Sequence, residues 1–175
     1  MEKQHMAGEK ETGPQHIRFE PLPSDPGAVR RIAASTGFFR EDEVEVAVDL
    51  VREALEKGAS CGYHFLFAES DGQVTGFACL GPVPLTIGSY DLYWIVVEEG
   101  RRGQGIGKQL LQEAEQQARL LGGRKLYIET SSTARYRPTR AFYLASGYAE
   151  EACLRDFYLP GDDKLIYSKS LVPSA

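Results

Sequence analysis

Between Val44 and Leu55 the apolar residues Val44, Ala47, Val48, Val51, Ala54 and Leu55 recur at the spacing of one helix face. Gly58 follows as a stop. Upstream, His16 to Leu22 alternates apolar and polar positions and runs into Pro21, Pro23 and Pro26, which predicts a short edge strand leading into a helix capped by Ser24 and Asp25. Two strand-like runs, Tyr63 to Ala68 and Val74 to Leu80, are separated by Ser70-Asp71-Gly72, and Asp-Gly between apolar runs predicts a hairpin. The run Tyr90 to Val97 is apolar on both alternating faces, as in a strand covered on two sides.

After that strand come Arg101-Arg102-Gly103-Gln104-Gly105-Ile106-Gly107-Lys108, and then Ile106, Leu110, Leu111, Ala114, Ala118 and Leu121 at helical spacing. Gly122-Gly123 stops this helix, Lys125 to Thr130 reads as a strand, and Pro138 opens a short helix that Gly147 closes. Glu151 to Leu159 and Lys164 to Leu171 flank a turn at Pro160-Gly161. There is no internal repeat, long linker or low-complexity core segment, so one domain over residues 16–175 is expected.

Composition narrows the function. The 175 residues are 42% hydrophobic and 26% charged, as in a globular domain with a real core. The formal net charge of -5 disfavours a nucleic-acid partner and suits a cationic substrate. Cys61, Cys79 and Cys153 are odd in number and widely spaced, so neither a disulfide framework nor a zinc site is indicated and no metal is expected. No apolar run approaches membrane-spanning length, and the first fifteen residues are polar without a signal-like apolar stretch; residues 1–15 are expected to be a disordered leader and the protein cytoplasmic, with no membrane partner.

The glycine segment is where candidate chemistry begins. Alternate glycines before a helix expose backbone N–H groups at the positive end of its dipole, a ready site for phosphate; the plain alternative is a tight turn without a ligand. A P-loop needs Ser or Thr after Gly-Lys and a glycine five residues earlier, whereas Gln109 follows Lys108. A dinucleotide fingerprint needs GxGxxG in a βαβ unit. Gly103 to Lys108 reads GxGxGK after antiparallel-looking strands, although Glu129 stands where a ribose-binding acid would. Arg102-Gly103-Gln104-Gly105-Ile106-Gly107 instead resembles the coenzyme A loop of the GNAT acetyltransferase superfamily, [Gln/Arg]-x-x-Gly-x-[Gly/Ala], at every specified position.

That resemblance covers nearly the whole chain beyond the leader. It implies an α/β (α+β) fold with a mixed, mostly antiparallel sheet of about seven strands, splayed in the middle and flanked by about four helices. It also implies acetyl-CoA as cosubstrate. The pyrophosphate would rest on Arg102, Gly103, Gln104, Gly105, Ile106, Gly107 and Lys108, and the pantetheine arm on backbone groups of Ile95, Val96 and Val97. Relatives commonly bond that arm with an asparagine seven residues before the family's tyrosine, and here the position is Tyr136. Arg137 and Arg140 stand near enough in sequence to serve the phosphates or to be merely solvated.

Acetylating an amine requires a neutral nitrogen, an electrophilic thioester and a proton for the leaving thiolate. Arg140-Ala141-Phe142-Tyr143-Leu144-Ala145-Ser146-Gly147-Tyr148 resembles the family's Phe-Tyr-x-x-x-Gly-Phe block, whose tyrosine is the general acid; this implies that role for Tyr143, against the plain reading of a core aromatic. A phenol of pKa ~10 is reasonably matched to a thiol of ~8.5. Leu126-Tyr127-Ile128-Glu129 resembles the Leu-x-x-Glu strand of the ribosomal-protein N-terminal acetyltransferases, which implies Glu129 as base through water. Asp91 is the other candidate, either acid may be an ordinary strand-end charge, and water alone can take the proton in many relatives. A backbone amide between Ile95 and Val97 is the expected donor to the thioester oxygen.

By the same resemblance, acceptor choice lies in Phe38-Phe39-Arg40-Glu41-Asp42-Glu43 and in Asp156-Phe157-Tyr158-Leu159-Pro160-Gly161-Asp162-Asp163, both mixtures of acids and aromatics. Such surfaces suit a small-molecule amine or a peptide N-terminus, and equally describe charged loops facing water. Arg155-Asp156-Phe157-Tyr158 loosely resembles an Arg-Asn-Tyr-Tyr stretch of the ribosomal-protein enzymes. The rival to an N-acetyltransferase attacking directly in a ternary complex is a non-catalytic acyl-CoA sensor. Monomer and homodimer both remain open.

Overall fold

The computed structural model describes residues 16–172; the expected leader and the last three residues lie outside them. The elements are β1 (His16–Arg18), α1 (Asp25–Ser35), α2 (Glu41–Lys57), β2 (His64–Ser70), β3 (Gln73–Pro82), β4 (Ser89–Val97) and α3 (Ile106–Leu120). They continue with β5 (Lys125–Ser131), α4 (Arg137–Ala145), β6 (Ala149–Leu159) and β7 (Asp162–Ser170). One seven-stranded sheet runs in the order β1-β2-β3-β4-β5-β7-β6, and its only parallel pair among the described residues is β4 with β5. Seven strands and four helices are the arrangement that the GNAT resemblance implies.

Each sheet face is covered by the helix stripe that its apolar positions match. Val29, Ile32, Val48 and Val51 of α1 and α2 pack on Phe65, Phe67, Phe77 and Cys79. Leu110, Leu111, Ala114 and Ala118 of α3 pack on the opposite face, against Leu66, Ala78, Leu80, Leu126 and Ile128. Each large side chain so buried contributes about 1.5–3 kcal/mol. The approach of α3 depends on Gly76, where a Cβ would stand 3.0 Å from the Val96 carbonyl oxygen and 3.1 Å from Leu110 Cδ1. The hairpin turn has Asp71 and Gly72 at φ 52° and 74°, the left-handed pair that matches strand twist.

Three sequence expectations change. The first strand ends at Arg18 rather than Leu22, because the Arg18 guanidinium turns onto the Asp25 carboxylate (2.9 Å) and Glu69 (2.8 Å). Ser24 makes no capping bond, and the buried Asp25 carboxylate instead accepts the Leu22 N–H at 2.6 Å. The β6 ladder is interrupted between Leu154 and Leu159, where Asp156 takes φ 51°. Asp156 donates its N–H to Asp163 Oδ1 (2.8 Å) and accepts the Gly161 N–H (2.7 Å), so residues 155–158 bulge out of register with β7.

A bulge in β4 decides which residues face which side. Cys79 pairs with Trp94 and Leu80 with Leu92, which leaves Tyr93 as the extra residue. Leu92 therefore enters the α3 side of the core while Trp94 enters the α1–α2 side, and Ile95 and Val97 return to the α3 side. Without the bulge, Leu92 and Trp94 would share a face.

Candidate active site

The parallel pairing of β4 with β5 stops at Leu92 opposite Ile128, while β4 runs on to Val97 and β5 to Ser131. Past this fork the edge of β4 that faces β5 has no strand partner, so its backbone polar groups are available to a ligand. Between the diverging strands lies a cleft of about 710 Å³. Its walls include Leu92 to Val97 of β4, Ile128 to Ser131 of β5, Phe38 and Glu43 from the α1–α2 region, and Tyr158 and Asp162 of the last hairpin.

At one mouth the glycine loop leads into α3. Gly103 and Gly105 take φ 76° and 81°, conformations that L side chains avoid, while a Cβ on Gly107 would meet only Val97 at 3.6 Å and Phe142 at 3.9 Å. The third pattern position thus has room for alanine, as a Gly/Ala alternative demands. No amide from Gly103 to Lys108 donates to a described residue, and Gly105 caps α3 without a side-chain bond. A run of unbonded N–H groups at a helix N-terminus fits a pyrophosphate. Beside it, Arg102 lies over the Phe38 ring at 4.9 Å and Arg135 over the same ring at 4.6 Å. Arg135 also donates to the Gly37 carbonyl.

The floor holds Tyr143. Its ring is 4% exposed and contacts Phe142, Tyr148 and Tyr167, and its hydroxyl makes no hydrogen bond with a described residue. Burial pushes this phenol well above its ordinary range, with Tyr136 adding to the shift. It is therefore a firmly protonated donor, further from a thiol in acidity than the sequence alone suggested. Thr130 Oγ1, buried in the same cleft wall, has no hydrogen-bond partner either, and no motif singles this residue out.

The other mouth is acidic and aromatic. Tyr158 is pushed up to about 12 by burial and by the nearby Glu129 and Asp162, with smaller effects from Tyr136 and Glu43. Tyr136, expected to touch the pantetheine arm, lines the cleft edge-on to Phe38 at 5.3 Å and is raised by burial and then by Glu43. Glu129 lines the cleft and is ion-paired to Lys164 at 2.6 Å. Asp91 sits on the paired side of the fork opposite Tyr127 and is not among the cleft residues; burial, then Glu129, raises its pKa, and Lys164 opposes. Arg140 donates to the carbonyls of Ser131 (2.8 Å) and Thr133 (2.9 Å), where it ties α4 to the end of β5.

Comparison with known proteins places this geometry. Residues 29–148, from α1 to the turn after α4, match the family model described as Acetyltransferase (GNAT) family. The chain belongs to the GNAT family. It is thereby an acyltransferase enzyme, of a family that uses acetyl-CoA. A GNAT-family protein from Desulfovibrio desulfuricans has a crystal structure 48% identical in sequence, with a TM-score of 0.89, over 91% of this chain and 100% of that one. An aminoglycoside 6'-N-acetyltransferase complexed with coenzyme A shares the fold at 18% identity and a TM-score of 0.73, over 91% and 99%. The ribosomal-protein-S18-alanine N-acetyltransferase of Escherichia coli does so at 19% and 0.69, over 91% and 97%. No curated protein matches the sequence. The GNAT match ends before the last hairpin, so Tyr158 and Asp162 stand outside it.

No group of His, Cys, Asp and Glu among the described residues could hold a metal ion, and no helix there is long and apolar enough to cross a membrane.

Proposed function

We propose that the protein is an acetyl-CoA-dependent N-acetyltransferase that transfers the acetyl group to a primary amine by direct attack in a ternary complex. The observation that carries this reading is the run of unbonded amides from Gly103 to Lys108, at the head of a helix and at the mouth of a cleft floored by Tyr143. Acetyl-CoA supplies an activated acetyl thioester. The loop amides and Arg102 take its pyrophosphate, while the open edge of β4 at Ile95, Val96 and Val97 bonds the pantetheine arm, with Tyr136 alongside. An amide of that edge donates to the thioester oxygen.

Tyr143 holds a proton for the departing sulfur, and burial keeps that proton in place until the carbon–sulfur bond breaks. Glu129, on the acceptor side of the cleft, takes through water the proton that the amine gives up; Asp91, outside the cleft walls, does not. The acceptor, a small-molecule amine or a peptide N-terminus, enters between the α1–α2 loop and the last hairpin. Calorimetric titration with acetyl-CoA, together with thiol release from a panel of amines and peptides, tests the reading. Binding that is lost in Arg102→Ala and Gly105→Val, with thiol release for one acceptor class, is the expected result. Absence of acetyl-CoA binding by the unaltered protein would overturn it.

A further inference from the structure

Asp162 is 9% exposed, lines the cleft, and has no Lys or Arg partner among the described residues. The one hydrogen bond of its side chain among the described residues is from the Ser131 hydroxyl at 2.6 Å. The cations nearby are committed elsewhere: Lys164 to Glu129 (2.6 Å), Arg40 to Asp42 (3.0 Å), Arg135 to the Gly37 carbonyl and Arg140 to the carbonyls of Ser131 and Thr133. Buried carboxylates are normally paired, so a buried one facing open cleft is a place for a ligand's cation.

The carboxylate is also fixed in place. Ser131 is held by Thr133 (2.8 Å), and the hairpin is latched to the end of β5 by the Asp163 N–H on Ser132 Oγ (2.9 Å) and the Ser132 N–H on the Asp163 carbonyl (2.9 Å). Tyr158 and Tyr136 stand close enough to feel its charge and offer aromatic walls to an ammonium. Such a pocket needs no rearrangement to accept a cation.

The group held there is not the reacting nitrogen. A nucleophilic amine must be neutral, whereas a buried unpaired carboxylate favours the protonated form of whatever amine it holds. Ser131, and with it Asp162, lies two residues beyond the proposed base Glu129, a distance of ~7 Å along the strand. We infer that Asp162 holds a second, non-reacting ammonium of the acceptor, so that the acceptor is a diamine or polyamine whose nitrogens are several bonds apart. This rests on the acetyl-transfer reading above and narrows its substrate.

The test is calorimetric titration of the full chain, with and without coenzyme A, which fills the cosubstrate site without reacting, using butylamine, a series of linear α,ω-diamines and spermidine. It is repeated on Asp162→Asn and Asp162→Glu, with thermal unfolding as a control. The expected result is that one diamine length binds at least ~10-fold more tightly than butylamine, that Asp162→Asn weakens it at least ~30-fold, and that butylamine is unaffected. Asp162→Glu should restore binding with the preferred diamine shortened by about one methylene. Equal binding of butylamine and every diamine, or unchanged diamine binding by Asp162→Asn, would overturn the inference and leave acetyl transfer to simpler amines intact. Diamine binding lost in Asp162→Asn, in a protein that binds no acetyl-CoA, would keep the cation site and remove the enzyme reading. Should Asp162→Asn fail to fold, the length series on the unaltered protein and on Asp162→Glu decides.

Discussion

Lys164 Nζ lies 2.6 Å from a carboxylate oxygen of Glu129, with the lysine side chain 14% exposed and the glutamate 48%. The cation is the more buried partner, covered by the Phe157 ring at 3.9 Å, so Glu129 keeps an accessible face toward the cleft. The pair orients the carboxylate and leaves it able to accept a proton from water. Glu129→Gln should therefore lower kcat/KM ~10²-fold at pH 7, where an amine arrives protonated. The deficit should shrink toward nothing as pH approaches the amine's own pKa of ~10, since a neutral amine needs less help. A pH series of kcat/KM on both proteins checks this; a constant deficit would assign Glu129 a structural role.

Tyr143→Phe removes the proton donor and little else, because the hydroxyl bonds to no described residue and the ring packing survives. The expected loss is ~10²-fold or more in kcat, with acetyl-CoA affinity changed by no more than ~3-fold. Since burial holds the phenol above its ordinary value, the unaltered enzyme should show no falling limb from Tyr143 below pH ~10. Stopped-assay kcat profiles read both effects.

At the glycine loop, position rather than residue type sets the cost. Gly105→Val places a β-branched residue at φ 81°, at a strain of at least about 1–2 kcal/mol, and should abolish measurable acetyl-CoA binding by turning the loop amides aside. Gly107→Ala adds a methyl at ordinary contact distance from Val97 and should leave the dissociation constant within ~3-fold. Calorimetry on the two variants separates a conformational requirement from a steric one.

Asp91 offers a stability test independent of turnover. Its folded-state pKa is raised, by burial first and by Glu129 second, so the native state binds this proton more tightly than the unfolded chain does. Its contribution to stability is then fully present below the unfolded value of ~3.9 and is lost as pH rises through the folded value. Asp91→Asn should accordingly raise the melting temperature at pH 7 and give no gain at pH 3. An equal gain at both pH values would show that the charge is not the cause.

The fold was legible because its signals are local and mutually consistent: the helix stripe from Val44, the Asp71-Gly72 turn, and the doubly apolar β4 followed by glycines. The glycine segment before α3 and the short α4 that carries Tyr143 were legible as elements, and the roles given to them come from the resemblance. What was not legible depends on distant partners. The salt bridge that shortens β1 joins Arg18 to Asp25 and Glu69, the bulge at Tyr93 emerges only from pairing with β3, and the isolation of Asp162 follows from where several cations have gone. Arg140 shows the converse, since its position suggested phosphate and its carbonyl partners are set by the path of the chain after β5.

The Arg18 to Asp25 contact carries one more expectation. Asp25 is fully buried, its carboxylate accepting two guanidinium N–H bonds at 2.9 Å and the Leu22 N–H at 2.6 Å, and Arg18 also lies over the Phe67 ring at 4.6 Å. Removing the cation alone strands a buried charge, whereas removing both partners strands none. Arg18→Leu should cost about 3–5 kcal/mol in urea unfolding, and Arg18→Leu combined with Asp25→Leu should recover part of that loss despite deleting more bonds. If the double variant is instead less stable than the single one, the Leu22 N–H bond outweighs the ion pair, and Asp25 acts chiefly as the anchor of the turn into α1.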